Sequence, residues 1–209
     1  MTKTKLLIAR HGNTFGPDDT VTRLGKTDRP LVESGLKQGY QLGLYLKAYH
    51  LIPDIIFVSE LKRTQQTAEQ IMCAIQMDIP MQILSIFNEI DYGIDDNQPE
   101  EMIIARIGAN ALKAWDEQAI VPPGWLFEPQ MIIRNWDLFA RNLLKEFSGK
   151  IILVVTSNGI ARYSPYITGN FKEFNRNYKL KISTGALCLF ENEAPDDLWQ
   201  CRAWNLNPV

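Results

Sequence analysis

Arg10 and His11 are the first residues of this sequence whose types and spacing could do chemistry. They follow the apolar run 6–9, which is typical of a strand buried on both faces of a parallel sheet. Ligands of open α/β sheets bind at the carboxyl ends of strands, and Gly12 would let the backbone approach a ligand closely. A cation and an imidazole at such a strand end indicate an anion site that contains a nucleophile. On their own, however, these three residues favour a polar surface turn.

Two further groups of polar residues follow predicted buried strands. Residues 54–59 form one such strand, and a helix is expected from about 61 to 77, so free backbone N–H groups and the positive end of the helix dipole would point at the crevice. Residues 151–155 form the most apolar strand, followed by a small polar loop and a helix from about Gly159. This repeats the pattern around His11. Two such strand ends side by side would form the crevice expected at a topological switch point.

The first long helix is predicted around Ser34, which offers an N-cap. An apolar stripe at intervals of four lies on one side, typical of an amphipathic helix. Gly39 and Gly43 lie on a neighbouring face, where the helix is expected to approach the sheet closely. The stripe consists of Leu36, Tyr40, Leu44 and Ala48.

The alternation of strands and helices defines the predicted fold class. With a third strand near 81–84, it predicts an α/β fold, a three-layer α/β/α sandwich whose mostly parallel sheet carries helices on both faces. Segments 182–190 and 198–204 could pair as a hairpin at one sheet edge. Residues 98–147 are predicted to be mostly helical, as an inserted cap over the sheet, and 12–30 is expected to be a long loop.

Composition narrows the class of protein. The 209 residues, 45% of them hydrophobic, can bury one good core, so a single domain over 1–209 is expected. A net charge of −2 argues against nucleic-acid or anionic-membrane binding. Three widely separated cysteines favour reduced thiols, and the two histidines, His11 and His50, are too few for a histidine-rich metal site. Because no transmembrane or signal-peptide pattern is present, the expected location is the cytoplasm.

The pattern strand-Arg-His-Gly-x-Thr, which ends at Thr14, resembles the histidine phosphatase superfamily, the group that includes cofactor-dependent phosphoglycerate mutases. The resemblance implies that His11 is transiently phosphorylated without a metal or other cofactor, and that Arg10 clamps the phosphate with Thr14 as a further ligand. Residues 59–69 are similar to the family's Ser-x-x-x-Arg-x-x-x-Thr-Ala-Glu stretch. That similarity makes Arg63 a second phosphate-binding arginine.

Glu89 resembles the glutamate of the family's Leu-x-Glu-x-x-x-Gly element. The resemblance implies that this residue protonates the leaving group, as a general acid does. Three neighbouring carboxylates compete for the role, and a solvated acidic loop is the simpler alternative. They are Asp91, Asp95 and Asp96.

The stretch 25–31, followed by Gly35 and Gln38, matches the family's Gly-x-x-Asp-x-Pro-Leu element, whose loop borders the pocket. Within it, Thr27 could donate to phosphate. Asp28 and Pro30 are expected to shape the loop rather than to act in catalysis.

The sequence departs from the family pattern in two places. Asn13 stands where the family commonly has glutamate, and Pro17 stands where it has asparagine. In the loop after the strand 151–155, Ser157 stands where the family has a second histidine, so Ser157 and Asn158 would line the phosphate site without its positive charge. Loss of one preorganised donor typically costs about 10²–10³ in rate, and Arg162 or a backbone nest could compensate.

The sequence therefore predicts a metal-independent phosphatase with His11 as nucleophile, Glu89 as acid and a small phosphorylated substrate. The alternative is a catalytically impaired or inactive family member that binds a phosphorylated ligand or phosphoprotein. A phosphoglycerate mutase is less favoured, because mutases in the family tend to be longer and keep the second histidine. A nucleotide-binding domain comes last, because neither glycine-rich fingerprint is present.

Overall fold

The computed structural model describes residues 3–193 and 198–208, so residues 1–2, 194–197 and 209 of the expected domain lie outside it. The strands are β1 (Thr4–Arg10), β2 (Thr22–Arg23), β3 (Ile55–Val58), β4 (Met81–Ile83), β5 (Gln98–Pro99), β6 (Ile151–Thr156), β7 (Leu187–Asn192) and β8 (Gln200–Leu206). The α-helices are α1 (Glu33–Ala48), α2 (Lys62–Ile75), α3 (Glu100–Ile107), α4 (Ala109–Gln118), α5 (Pro129–Glu146), α6 (Asn158–Ala161) and α7 (Phe171–Asn177). Short 3-10 turns cover Ser85–Phe87, Gly93–Asp95 and Ser164–Thr168.

The main sheet has six strands in the order β4-β3-β6-β1-β7-β8. β1 and β6 run parallel as direct neighbours, β3 pairs parallel with both β6 and β4, and β7 and β8 add two antiparallel strands at one edge. The predicted pairing of the last two segments is confirmed. The two polar strand ends of the sequence, after β1 and after β6, therefore lie side by side.

Alternate residues of each central strand point into two separate cores, one on each face of the sheet. In β1, Leu7 and Ala9 pack against α1 and α2 residues, whereas Leu6 and Ile8 pack against the aromatic side chains of α5 and its neighbours. This arrangement confirms the predicted three-layer α/β/α sandwich. Its two-sided burial explains why the central strands are continuous apolar runs.

The buried face of α1 differs from the predicted one. Tyr40 and Leu44 of the apolar stripe are 42% and 47% exposed. The side facing the protein instead carries three glycines: Gly39 and Gly43 pack against helix α2 rather than against the sheet, and Gly35 packs against the backbone of Asn13. A Cβ on Gly43 would lie 2.6 Å from the Ile71 carbonyl oxygen, so only glycine allows this helix–helix distance. The buried α1 residues are Gly35, Gly39, Leu42, Gly43 and Leu46.

The start of α1 also differs from the prediction. Val32 occupies the N-cap position, without a side-chain capping bond, and Ser34 lies inside the first turn. The Ser34 hydroxyl instead accepts a hydrogen bond from the Asn13 side chain at 3.4 Å. Ser34 therefore links the helix to the loop after β1.

The segment 12–30 contains more structure than the predicted long loop. Its residues Thr22 and Arg23 form β2, which pairs antiparallel with β5 in a separate two-stranded sheet. Such two-residue strands carry no periodic signal in a sequence. The pairing attaches the loop to the start of α3, within the predicted helical segment 98–147.

The segment 98–147 contains α3, α4 and α5, with a helix-free stretch around Pro122 and Pro123 as expected. Trp136, Phe139 and Leu143 of α5 are buried in the core that contains Leu6 and Ile8 of β1, so this helix packs on the sheet as a predicted cap would. The three cysteines are free thiols, as predicted: Cys73, Cys188 and Cys201. Within the described ranges, none of the helices combines the length and apolar character needed to cross a bilayer.

We expect Gly43→Ala to lower the free energy of unfolding by about 1–3 kcal/mol, because the new methyl group must push α1 away from α2. Thermal and urea unfolding would measure this loss. Gly16→Ala is the matched control, since the nearest atom to a Cβ at Gly16 is 3.7 Å away. Equal stability of the two variants would contradict the proposed reason for the α1 glycines.

Candidate active site

A cleft of about 400 Å³ opens where β1 and β6 end. It brings together residues from both strand ends, from the 12–30 segment and from the helices beyond β5. Five of the predicted site residues line it: Arg10, His11, Thr14, Glu89 and Asn158. The other lining residues are Asn13, Phe15, Gly16, Val21, Thr22, Arg23, Leu24, Tyr92, Glu100, Asp116, Lys181 and Thr184.

His11 is fixed by backbone and side-chain hydrogen bonds. Its backbone N–H donates to the Thr156 carbonyl at 3.0 Å, and its carbonyl accepts from Gly185 N at 3.2 Å. Nδ1 lies 2.8 Å from the Gly12 carbonyl oxygen, so a neutral ring carries its proton on Nδ1. Nε2 then has a free lone pair, which is what a nucleophile requires.

The electrostatic surroundings keep His11 neutral. Burial lowers the pKa of His11 well below 6.5, and the positive charges of Arg63 and Arg10 lower it further. The backbone hydrogen bond to Gly12 opposes this shift only in part. An imidazole in this setting is uncharged at neutral pH and available to attack an electrophile.

Arg10 is anchored through one nitrogen and has further donors available. Nη1 donates to the Ile182 carbonyl at 2.6 Å. Its Nε is buried and has no hydrogen-bond partner among the described residues. Burial lowers the pKa of Arg10 and the negative charge of Glu89 opposes that shift, but an arginine remains protonated.

Arg63 lies at the start of α2 and is completely buried, outside the set of residues that line the cleft in the described part of the chain. Its two terminal nitrogens donate to the carbonyls of Thr27 and Gly25, each at 2.8 Å. Its Nε has no partner within residues 3–193 and 198–208. Arg63 therefore holds the loop beside the cleft and also places a positive charge near His11.

Glu89 is the acidic residue of its loop that reaches the cleft. Its Oε1 accepts from Ile90 N at 2.9 Å, and its Oε2 accepts from Gly159 N at 3.1 Å. A Cβ at Gly159 would overlap the Glu89 carboxylate, so this close approach requires glycine. The requirement at Gly159 has no signature in the sequence apart from the glycine itself.

The three competing carboxylates have structural partners instead. Asp91 pairs with Lys26, and Asp95 accepts from Arg106 and from the Trp125 indole. Asp96 accepts from the backbone of Gly25 and from Thr27. None of the three is among the described residues that line the cleft.

Ser157 and Asn158 differ in their positions beside β6. Ser157 is fully buried, and its Oγ has no hydrogen-bond partner in the described part of the structure. Asn158 lines the cleft, and its Oδ1 accepts from Ile182 N at 2.9 Å. The Ile182 carbonyl also accepts a hydrogen bond from Arg10 Nη1. The loop after α7 is therefore bonded to residues at the ends of both β1 and β6.

Thr27 and Gly12 have contacts in the structure that the sequence did not predict. The Thr27 hydroxyl donates to Asp96 at 2.9 Å rather than pointing into the cleft. The missing side chain of Gly12 lets the backbone pack against Gly35 of α1, where a Cβ would clash, rather than against a ligand. Asp28 does shape its loop, because its carboxylate accepts from Lys62 N at 2.8 Å.

Arg162 is a second buried arginine on this side of the sheet. Its guanidinium lies 3.8 Å from the centre of the Trp115 ring, and Nη1 donates to the Trp115 carbonyl at 2.7 Å. Nη2 has no hydrogen-bond partner among the described residues and lies 3.7 Å from Asp116, which lines the cleft. Arg162 is therefore packed behind the cleft wall rather than on its surface.

Several residues that line the cleft could not be assigned to it from the sequence, above all Arg23, Asp116, Lys181 and Thr184. The Thr184 hydroxyl donates a hydrogen bond to Asn13 Oδ1 at 2.5 Å and accepts one from Gln38 Nε2 at 3.3 Å. These bonds link the loop after β1 to the loop before β7. Asn13, the apparent departure from the family pattern, is thus a structural partner. Of the residues in this hydrogen-bonded group, Gln38 alone had a sequence signal, because it follows the stretch that matches the family's Gly-x-x-Asp-x-Pro-Leu element.

The fold and the cleft define an α/β protein in which a neutral imidazole and a carboxylate face a cleft backed by arginines. A model of the histidine phosphatase superfamily (branch 1) matches residues 6–207. The chain belongs to this superfamily.

Curated relatives agree with this membership. The "Uncharacterized phosphatase PhoE" of Bacillus subtilis is 36% identical over 204 residues, covering 98% of this chain and 95% of that protein. Fructose-2,6-bisphosphatase TIGAR of Bos taurus is 30% identical over 142 residues, covering 66% of this chain. A 2,3-bisphosphoglycerate-dependent phosphoglycerate mutase of Bradyrhizobium is 30% identical over 59% of this chain. The chain spans only 50% of the TIGAR sequence and 59% of that mutase.

Solved structures show the same fold. "Mycobacterial hydrolase 2" has a TM-score of 0.82 at 18% identity, covering 99% of this chain and 92% of that one. A mycobacterial glucosyl-3-phosphoglycerate phosphatase has a TM-score of 0.79 at 17% identity, covering 97% of this chain and 99% of that one. At these identities the similarity extends to the fold alone.

We expect the His11 ring to be neutral, as the Nδ1–H tautomer, at pH 6.5 and above, because burial and two arginines lower its pKa well below 6.5. Imidazole ¹⁵N chemical shifts measured through a pH titration would report both the tautomer and the protonation midpoint. The His50→Gln variant leaves His11 as the single histidine and so assigns the signal. A midpoint at or above pH 6.5 would contradict this electrostatic description.

Proposed function

We propose that this protein is a metal-independent phosphomonoesterase that works through a phosphohistidine on His11. The observation that carries the proposal is the fixed His11 ring, whose Nδ1–H is bound to the Gly12 carbonyl while Nε2 is free. Arg10 and Glu89 line the same cleft and supply a cation for phosphate oxygens and a carboxyl group for proton transfer. A small phosphorylated molecule is the expected substrate.

The reaction has two steps. The first step starts from the bound ester with a proton on the Glu89 carboxyl group, which is ionised in the free site. His11 Nε2 attacks phosphorus, the ester P–O bond breaks, and Glu89 gives that proton to the departing alkoxide. In the second, water attacks the phosphohistidine, Glu89 takes a proton from that water, and the P–N bond breaks to release inorganic phosphate. The Gly12 hydrogen bond would stabilise the positive charge on His11 while the phosphoryl group is attached.

Unpartnered donors around His11 support oxyanion binding. The Nε atoms of Arg10 and Arg63 and the Oγ of Ser157 are buried without hydrogen-bond partners in the described ranges. Buried polar groups are rarely left unsatisfied in a folded protein, and a missing ligand is one common reason. A phosphoryl group in the cleft would offer acceptor oxygens to donors of this kind.

The names of the relatives point to the same chemistry. The Bacillus relative that aligns along nearly its whole length is called a phosphatase, and the partial matches include both a bisphosphatase and mutases. We favour hydrolysis over mutase activity because Ser157, as the sequence predicts, stands where the mutases keep a second histidine. Hydrolysis needs only a water molecule as the acceptor of the phosphoryl group. A mutase must also hold the phosphoryl group until a second organic acceptor is in place, which is harder without the charge of the second histidine.

A second candidate is a non-catalytic module that binds a phosphorylated ligand on the same scaffold. The observation that favours it is Ser157, which is fully buried and brings no formal charge to the phosphoryl transition state. In this case Arg10 and the unpartnered donors would hold phosphate, and His11 would not turn it over. Turnover that depends on His11 separates the two candidates.

We expect the protein to hydrolyse p-nitrophenyl phosphate in excess EDTA, and His11→Ala to abolish this activity. The reason is that the nucleophile is the imidazole itself. Release of p-nitrophenol between about pH 5 and pH 8 would measure it, and His50→Ala, which removes the exposed second histidine, is the matched control.

The intermediate gives an independent check on the mechanism. Acid-labile, base-stable phosphate should attach to the wild-type protein but not to His11→Ala when a labelled ester is quenched during turnover. Activity that EDTA removes would overturn the metal-independent mechanism. Phosphate binding without turnover on a panel of esters would establish the binding module instead.

We also expect Ser157→Ala to lower kcat/KM by about 10²-fold while leaving thermal stability unchanged. The Oγ of Ser157 makes no hydrogen bond in the described structure, so its removal costs nothing in the free protein, whereas a phosphoryl group would lose a donor. Ser164→Ala is the control, because Ser164 Oγ is also buried and unpartnered in the described structure but belongs to the 3-10 turn Ser164–Thr168 rather than to the end of β6. Similar activities of the two variants would remove Ser157 from the proposed site.

A further inference from the structure

Arg23, which lines the cleft, is held in place by its neighbours before any ligand binds. The guanidinium of Arg23, in the short strand β2, lies 5.5 Å from the centre of the Tyr92 ring and 5.3 Å from that of Trp125. Its Nε is buried and has no hydrogen-bond partner within the described residues. Cation–π contacts with two aromatic rings restrict the position of the guanidinium, so less conformational entropy is lost when a ligand binds.

The acidic partner of Arg23 is loosely held. Glu100, the first residue of α3, lies 3.4 Å from Arg23 Nη2, but its side chain is 67% exposed. Such exposed pairs contribute little to stability and exchange readily with solvent. The Glu100 carboxylate therefore occupies a position beside Arg23 that another oxyanion could take.

Asp116 and Lys181 also line the cleft, and neither forms an ion pair with Arg23 in the described part of the chain. Asp116 lies 3.7 Å from Arg162 Nη2, so an arginine behind the cleft wall offsets its charge. Lys181 is exposed and has no carboxylate within ion-pair distance among residues 3–193 and 198–208. Apart from Arg10 and the carboxylates of Glu89 and Asp116, the cleft lining thus offers two cations, Arg23 and Lys181, against the exposed carboxylate of Glu100.

We infer that Arg23 binds a second oxyanion of the substrate, so that the preferred substrates are phosphate esters whose alcohol part carries a carboxylate or another phosphate. The inference rests on the proposed function, because it places the reacting phosphate at His11. The guanidinium fork matches both groups geometrically, with two parallel N–H donors for two oxygens. Glu100 is then a built-in competitor that a bound substrate displaces.

A matched series of three-carbon esters tests this inference. Propyl phosphate has no second charge, the phosphate ester of 3-hydroxypropanoate adds a carboxylate, and propane-1,3-diyl bisphosphate adds a phosphate. The wild-type protein should prefer one or both acidic esters over propyl phosphate in kcat/KM. The ratio of kcat/KM between those two acidic esters shows whether Arg23 prefers a carboxylate or a phosphate.

Arg23→Gln should reduce kcat/KM for the acidic esters by about tenfold or more, mainly through KM, and should leave propyl phosphate within about twofold, because one charge-assisted contact is lost. Glu100→Gln should shift KM for the acidic esters downward, because the competitor loses its charge. This second variant changes only an exposed side chain, so it keeps the test valid if Arg23→Gln unfolds. Arg202→Gln is the control, since Arg202 is likewise a strand arginine paired with a glutamate, Glu191, but lies outside the cleft lining.

The results separate the two proposals. Loss of propyl phosphate turnover in His11→Ala concerns the proposed function, whereas the ester ratios concern Arg23. If none of the esters turns over, calorimetric binding of the same three esters to the wild-type protein and to Arg23→Gln replaces the kinetic comparison. No preference of the wild-type protein for either acidic ester, or an equal loss on all three esters in Arg23→Gln, would overturn the inference.

Discussion

The site depends on the parallel pairing of β1 with β6, which places two strand ends next to each other. The pairing continues past the strands, because His11 N donates to the Thr156 carbonyl at 3.0 Å. Thr156 in turn donates its hydroxyl to the Phe87 carbonyl at 2.7 Å, two residues before Glu89. One continuous set of hydrogen bonds therefore fixes the imidazole relative to the carboxylate. Since both strands are buried on both faces, neither can shift register without exposing its apolar side chains.

Glycines determine how closely the loops that carry His11 and Glu89 pack against neighbouring elements. Gly12 allows the His11 loop to pack against the start of α1, and Gly159 allows the Glu89 carboxylate to accept from the first turn of α6. Both positions would clash with any Cβ because the atoms they meet are backbone atoms or a fixed carboxylate. Packing, rather than flexibility, is thus the physical reason for glycine at these positions. The same reasoning applies to Gly43, which sets the distance between α1 and α2.

Much of the fold could be predicted from the sequence because its main signals are local. Apolar runs such as 151–155 mark strands buried on both faces, and their alternation with helices determines the layers. The cleft residues that were missed depend on contacts between distant segments. Arg23 enters the cleft because two residues of a loop pair with Gln98 and Pro99, and no periodicity announces such a pairing. Likewise, the apolar stripe containing Tyr40 gave the wrong buried face, because glycine packing outweighed the hydrophobic pattern.

The buried positive charges around His11 make the free protein less stable. Desolvation lowers the pKa of Arg10 and of Arg63, so burying these cations without an anion is unfavourable in the free protein. Glu89 offsets part of that cost, since its negative charge raises the pKa of both arginines. Burial, together with the remaining excess of positive charge, keeps His11 neutral, and an incoming phosphate would relieve that excess. Because this relief occurs only when an oxyanion is bound, the charges disfavour the empty site and favour the occupied one, as electrostatic preorganisation requires.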